Sequence, residues 1–195
     1  MPIRSIAVFC GSSLGFHEIY ALEAKRLGKK LAKSRIELVY GGANVGIMGA
    51  IADSVLDSGG KVTGVIPTFL QSKEIAHERI SNLISVETMH ERKMKMHELS
   101  DAVIALSGGF GTMEEIFEML TWAQLGLHKK PIGILNTHHF YDHLLLQINT
   151  MVSEGFLSET HRNMVLISDD IEDLLIKLDE YQPPELPKWM KNENT

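Results

Sequence analysis

Short, almost wholly apolar runs alternate along this chain with stretches of helical periodicity, and that alternation restricts the fold more than any other feature. The apolar runs cover residues 6–9, 36–40, 62–66, 83–86, 102–106, 132–135 and 165–167. Between and after them, residues 17–33, 47–56, 89–99, 112–125, 140–153 and 169–181 carry a helix pattern. In the first of these, Ile19, Leu22, Leu27 and Leu31 recur among charged residues. A strand that is apolar on both faces must be covered on both faces. Helical connections supply that cover and make successive strands parallel. The expected fold is therefore α/β: a single Rossmann-like, doubly wound parallel sheet with helices on both faces. It is expected to occupy residues 1–181, with a surface or partly disordered tail over 182–195, where Pro183, Pro184 and Pro187 fall.

Composition narrows the classes of function. The 195 residues are 44% hydrophobic and 23% charged, which suits a globular protein. A chain of this length buries roughly 70% of its unfolded surface and needs neither metal nor disulfide to fold. Cys10 is the only cysteine, so no intramolecular disulfide can form. A formal net charge of −6 argues against a basic face for nucleic acid. No apolar run approaches the ~18 residues of a membrane span. Residues 1–5 lack the apolar segment of a secretory signal. The chain is expected to be cytoplasmic, bound neither to membrane nor to nucleic acid.

Ligands of doubly wound sheets bind at the carboxyl ends of the strands. Three glycine-bearing turns follow strands here. The first, Ser107-Gly108-Gly109-Phe110-Gly111-Thr112, leads into a helix. Glycines let backbone N–H groups approach a ligand, and the helix N-terminus adds free donors and partial positive charge, so the turn suits a phosphate. Thr112 can donate a hydroxyl or cap the helix. The second turn is Gly41-Gly42-Ala43-Asn44-Val45-Gly46-Ile47-Met48-Gly49, where Gly42 is a candidate contact. The third is Cys10-Gly11-Ser12-Ser13, where Ser12 offers a hydroxyl. Each turn also forms readily without a ligand. Together at one sheet edge they point to a nucleotide or sugar-phosphate pocket. The P-loop pattern is absent, and Glu114 stands where the dinucleotide fingerprint needs its last glycine.

Charged residues refine the chemistry. Glu114 and Glu115 fall in the first helical turn, where the helix dipole alone favours them. Beside a ribose, however, a carboxylate can orient water or stabilise positive charge at C1′. In Met89-His90-Glu91-Arg92-Lys93-Met94-Lys95-Met96, Arg92 and Lys93 can pair with carboxylate or phosphate, or simply face solvent. His139 and His143 are four apart, and His90 and His97 seven apart. Without a third ligand, packing or solvation explains them better than metal. Cys10 is expected to be structural.

At these residues the chain resembles the LOG family, the cytokinin-activating nucleoside 5′-monophosphate phosphoribohydrolases, often mislabelled lysine decarboxylases. The family signature P-G-G-x-G-T-x-x-E reads here Ser107-Gly108-Gly109-Phe110-Gly111-Thr112-Met113-Glu114-Glu115. The resemblance extends through Gly41-Gly42, Gly46-Ile47-Met48-Gly49, Met89-His90-Glu91-Arg92-Lys93 and Thr121-Trp122-Ala123-Gln124-Leu125-Gly126. It implies hydrolysis of the N-glycosidic bond of AMP or an N6-modified AMP to free base and ribose 5-phosphate. Arg92 and Glu115 match the catalytic positions. Glu74, Lys93 and Thr121 match substrate contacts, and Gly108 to Glu114 the phosphate turn. The resemblance further implies no metal or organic cofactor, and a homodimer with its site near the subunit interface. Ser107 departs from the signature proline, which makes the turn less rigid and adds a donor. The competing expectations are a non-catalytic protein of the same fold that binds a nucleotide or phosphorylated cofactor, and a structural module with an empty cleft. Met89, Met94 and Phe110 are candidates to receive an apolar N6 substituent.

Overall fold

The computed structural model describes residues 2–71 and 76–185. Its strands are β1 (Ser5–Phe9), β2 (Glu37–Tyr40), β3 (Val62–Pro67), β4 (Asn82–Val86), β5 (Ala102–Ala105), β6 (Ile132–Leu135) and β7 (Val165–Ser168). The helices are α1 (Ile19–Lys33), α2 (Gly46–Asp57), α3 (Thr68–Gln71), α4 (Met89–Glu98), α5 (Phe110–Gln124), α6 (Asp142–Ser153), α7 (Glu159–Arg162) and α8 (Ile171–Glu180). The seven strands form one parallel sheet in the order β4-β3-β2-β1-β5-β6-β7. This is the expected doubly wound architecture. Of the expected tail, 182–185 follow α8 and 186–195 lie outside the described residues.

Strand alternation sorts the apolar side chains into two cores. Ile6, Val8, Leu38, Tyr40 and Ile104 point to one face, where Leu27 and Leu31 of α1, Ile51 and Val55 of α2, and Leu174 and Leu178 of α8 meet them. Ala7, Phe9, Val39, Val103 and Ala105 point to the other. There they meet Met96 of α4, Ile116 and Met119 of α5, and Tyr141. The inner strands read as continuous apolar runs because both their faces are covered, whereas the edge strand β4 is only half-buried.

The strand order reverses at β1, which has β2 on one side and β5 on the other. The chain therefore leaves β1 and β5 in opposite directions, and a crevice opens at their carboxyl ends. Gly11 joins the three turns there. Its N–H donates to the Ser107 carbonyl at 3.1 Å, and its carbonyl accepts from the Ile47 N–H at 3.1 Å. Gly46, at φ +59, packs so close to the backbone of Ser12 and Ser13 that a Cβ would overlap it. That contact, rather than helix packing alone, is why a glycine opens α2.

The helices that carry the charged residues start slightly away from their expected positions. α5 begins at Phe110 with Gly109 as its N-cap, so Thr112 lies inside the first turn and does not cap it. α4 begins after Thr88, whose hydroxyl accepts from the Glu91 N–H at 3.1 Å. Thr88→Ala is expected to lower stability by about 1 kcal/mol, the usual contribution of such a cap, measurable in urea titrations. His139 falls in a 3₁₀ turn over Thr137–His139 at φ 58, ahead of α6. It therefore does not share a helix face with His143.

Candidate active site

The crevice collects charge from α4 and α5, which follow β4 and β5 and pack into the same core on one face of the sheet. Arg92, buried on α4, donates from Nε to the Val65 carbonyl at 3.2 Å and from Nη1 to Glu115 Oε1 at 2.6 Å. Glu115, in the second turn of α5, is 7% exposed. Burial pushes its carboxyl pKa upward, and the Arg92 guanidinium opposes that rise without cancelling it. Glu115 Oε2 accepts no hydrogen bond among the described residues. One oxygen is thus fixed by arginine and the other is available for chemistry.

Gly41, at the end of β2, makes room for this arrangement. A Cβ there would overlap the Arg92 guanidinium and lie 3.0 Å from the Met48 sulfur. Gly42 is the contact expected from the sequence, whereas the demand for a glycine at position 41 comes from Arg92. Gly42 turns the chain at φ +76, and its carbonyl accepts from the His77 N–H at 2.9 Å.

Lys93, the next residue on α4, is 4% exposed. Its ammonium contacts Glu114 Oε1 at 2.5 Å and Glu118 Oε2 at 3.0 Å. Burial lowers its pKa, but the two carboxylates outweigh burial and leave it above the ordinary lysine range. A Schiff-base lysine needs the opposite shift. Glu118 was not anticipated. Its one signal was its place four residues after Glu114, a spacing that puts both on one helix face.

Beside these ion pairs lies the amino end of α5. A Cβ added at Gly109 or Gly111 would meet no atom within 4 Å, so their backbone faces open space. Gly108 is different, because a Cβ there would overlap the buried Thr112. The turn is pinned at its base. Leu106 donates through N–H to the Phe9 carbonyl at 2.9 Å, and its own carbonyl accepts from the Tyr141 hydroxyl at 2.6 Å. Ser107 is buried, and its hydroxyl has no hydrogen-bond partner among the described residues. An unmet buried hydroxyl of this kind costs about 1–3 kcal/mol. A cavity of 280 Å³ opens beside this turn, with Ser12, Ser13, Tyr20, Gly108, Gly109 and Phe140 in its wall. Arg92 and Glu115 do not line it.

The structure thus brings together Ser12 and residues 108–115 at one sheet edge, with Arg92 and Lys93 reaching them from α4. Met113 packs partly into the core below, while Phe110 is almost fully exposed. Thr121 is not brought to this cluster within the chain. It lies six residues beyond Glu115, about 240° around the helix. Its hydroxyl donates to the Phe117 carbonyl at 2.7 Å, and it borders an apolar pocket against α6 and α7. Glu74 lies outside the described residues. Cys10 is buried near Glu115, and burial raises its thiol pKa, which disfavours the thiolate. His97 packs against Trp122 and His128 rather than pairing with the exposed His90. No group of three metal-ligating side chains occurs among the described residues, and none of their helices is long and apolar enough to cross a membrane.

A family model described as "Possible lysine decarboxylase" matches residues 48–178. A probable cytokinin riboside 5′-monophosphate phosphoribohydrolase of Oryza sativa subsp. japonica is 46% identical over 180 residues, 92% of this chain and 79% of that protein. A cytokinin riboside 5′-monophosphate phosphoribohydrolase of Arabidopsis thaliana is 48% identical over 180 residues, 92% of this chain and 84% of its own length. The chain belongs to the LOG family. Among solved structures, a molybdenum cofactor binding protein of Rippkaea orientalis superposes with a TM-score of 0.68 at 23% identity. The match covers 90% of this chain and 95% of that one, and it speaks to the fold alone. The residues that resemble the LOG signature, Ser107 to Glu115, run here over the β5–α5 turn and end at the glutamate that pairs with Arg92.

Proposed function

We propose that this protein hydrolyses the N-glycosidic bond of AMP or an N6-modified AMP, releasing free base and ribose 5-phosphate. The observation that carries this reading is the buried Arg92–Glu115 pair, at 2.6 Å, beside the open amino end of α5. The phosphate sits on the backbone N–H groups of residues 108–112, where free donors and the helix dipole favour an anion. The ribose then extends toward Glu115. Departure of the base leaves positive charge at C1′ and the ring oxygen, and the Glu115 carboxylate stabilises it and orients the attacking water. Arg92 holds Glu115 in place. A purely phosphate-binding protein would have no use for a buried carboxylate there. The same support, together with close relatives named for such a reaction, favours the enzyme over a carrier.

Two further expectations belong to this reading. The protein acts in the cytoplasm, and two copies pair so that Thr121, remote from its own chain's cluster, serves the site of the other copy. An N6 substituent rests on the exposed apolar side chains of the same helices, Met89 and Met94 of α4 and Phe110 of α5.

Incubation with AMP and with adenosine tests the reading. Free adenine is expected from AMP, with at least 100-fold less from adenosine, because the phosphate anchors the sugar. Equal rates would remove the phosphate turn from the mechanism, and no release from AMP would remove the activity. The active form needs Glu115 ionised, and burial has raised its pKa. The acid limb of the kcat/KM profile is therefore expected to lie above the ordinary glutamate value, with activity falling as pH drops through it.

A further inference from the structure

Lys93 is held by two carboxylates that differ in one decisive respect. Glu114 is 57% exposed at its side chain and stands at the amino end of α5, next to the open backbone of Gly111. Glu118 is 20% exposed at its side chain and stands one turn deeper; its buried Oε2 faces the Lys93 ammonium at 3.0 Å as an ion pair, without hydrogen-bond geometry. Lys93 itself is 5% exposed at the side chain. An anion arriving at the turn can replace the outer carboxylate but not the inner one.

We propose that Glu118 is a positioning residue, the permanent counter-ion that keeps Lys93 aimed at the amino end of α5 while the nucleotide's phosphate displaces Glu114 from it. This rests on the reading of residues 108–112 as the phosphate site. A lysine paired with a single exposed carboxylate would follow that carboxylate into solvent. A lysine with no partner would lose its proton to burial. With Glu118 in place, Lys93 stays charged and nearly immobile, and substrate binding exchanges one carboxylate for a phosphate oxygen. The exchange keeps the ammonium's charge-assisted contacts and releases Glu114 to water, where a carboxylate is well solvated. Among the described residues, Glu115 on α5 also interacts with Lys93, and one of its carboxylate oxygens is held by Arg92.

The test uses ribose 5-phosphate as the ligand, because it is not turned over, together with AMP kinetics. In Glu118→Gln, the Kd for ribose 5-phosphate and the KM for AMP are expected to rise roughly tenfold or more, the scale of a lost charge-assisted contact, with kcat within about threefold. Binding by this variant should also fail at lower pH than in wild type, since Lys93 then keeps only its outer partner. Glu114→Gln is expected to tighten ribose 5-phosphate binding, because it removes the competitor. Glu118→Gln added to Lys93→Ala should change Kd no further. If Glu118→Gln does not fold, Glu118→Asp replaces it, with a smaller rise in Kd expected. An unchanged Kd in the folded Glu118 variant, or a further loss on the Lys93→Ala background, overturns the proposal. Wild type that binds ribose 5-phosphate but releases no base from AMP would count against the hydrolase reading alone.

Discussion

Glu115→Gln is expected to lower AMP turnover by about 100-fold or more, the scale found when a group aimed at transition-state charge is removed. The substitution keeps shape and leaves an oxygen that can accept from Arg92 Nη1, so folding should survive. What disappears is the negative charge opposite C1′. The loss should therefore appear in kcat, with little change in KM. Arg92→Ala is expected to cost turnover on the same scale, but by another route. It leaves Glu115 buried without its counter-ion, and breaking a buried pair from one side destabilises by about 3–5 kcal/mol. Melting curves must accompany the rates for that variant. Near-normal turnover in both folded variants would overturn the assignment of the pair.

Gly41→Ala is expected to lower turnover by roughly 100-fold and to lower the melting temperature as well, because the displaced guanidinium leaves Glu115 buried without its partner. The new methyl would overlap the guanidinium of Arg92, the far end of a flexible side chain that can move aside. The backbone can accept an alanine there, since Gly41 is not among the glycines at positive φ. Moving the guanidinium by about an ångström breaks its hydrogen bond to Glu115 Oε1, and misplacement on that scale can cost 100-fold in rate. A folded, inactive Gly41→Ala would show that Arg92 acts through its exact position. A folded variant of wild-type activity would show that the Arg92–Glu115 contact is dispensable.

The sheet was legible because its strands are short and apolar on both faces, so that Ile6, Ala7, Val8 and Phe9 all had to be buried whichever way they pointed. The helix starts were harder to see. Gly109, at φ −99 and ψ −151, is extended and closes the turn one residue before Phe110, whereas propensity places glycine and an exposed aromatic outside the helix. α7 has only four residues and so no readable period. His138 and His139, both at positive φ, close a 3₁₀ turn just ahead of the helix expected over 140–153, which begins at Asp142. In the site, Arg92, Lys93 and Glu115 carried a signal through the motif they share with the LOG family. Their pairing did not, because 23 residues separate Arg92 from Glu115 and only the sheet's strand order sets α4 beside α5. Gly41 and Glu118 were missed for a similar reason. The demand for no side chain at residue 41 comes from Arg92, and the meaning of a carboxylate at 118 comes from Lys93. Both partners lie on an element remote in sequence.

The central claim is that this crevice cleaves a nucleotide at C1′ and hands the bond to water. Its most direct measurement is the simultaneous quantification of adenine and ribose 5-phosphate from AMP, with wild type and Glu115→Gln side by side. The account predicts equal amounts of the two products from wild type, and at least 100-fold less of both from the variant. Adenine without matching ribose 5-phosphate, or equal product from the two proteins, would contradict it.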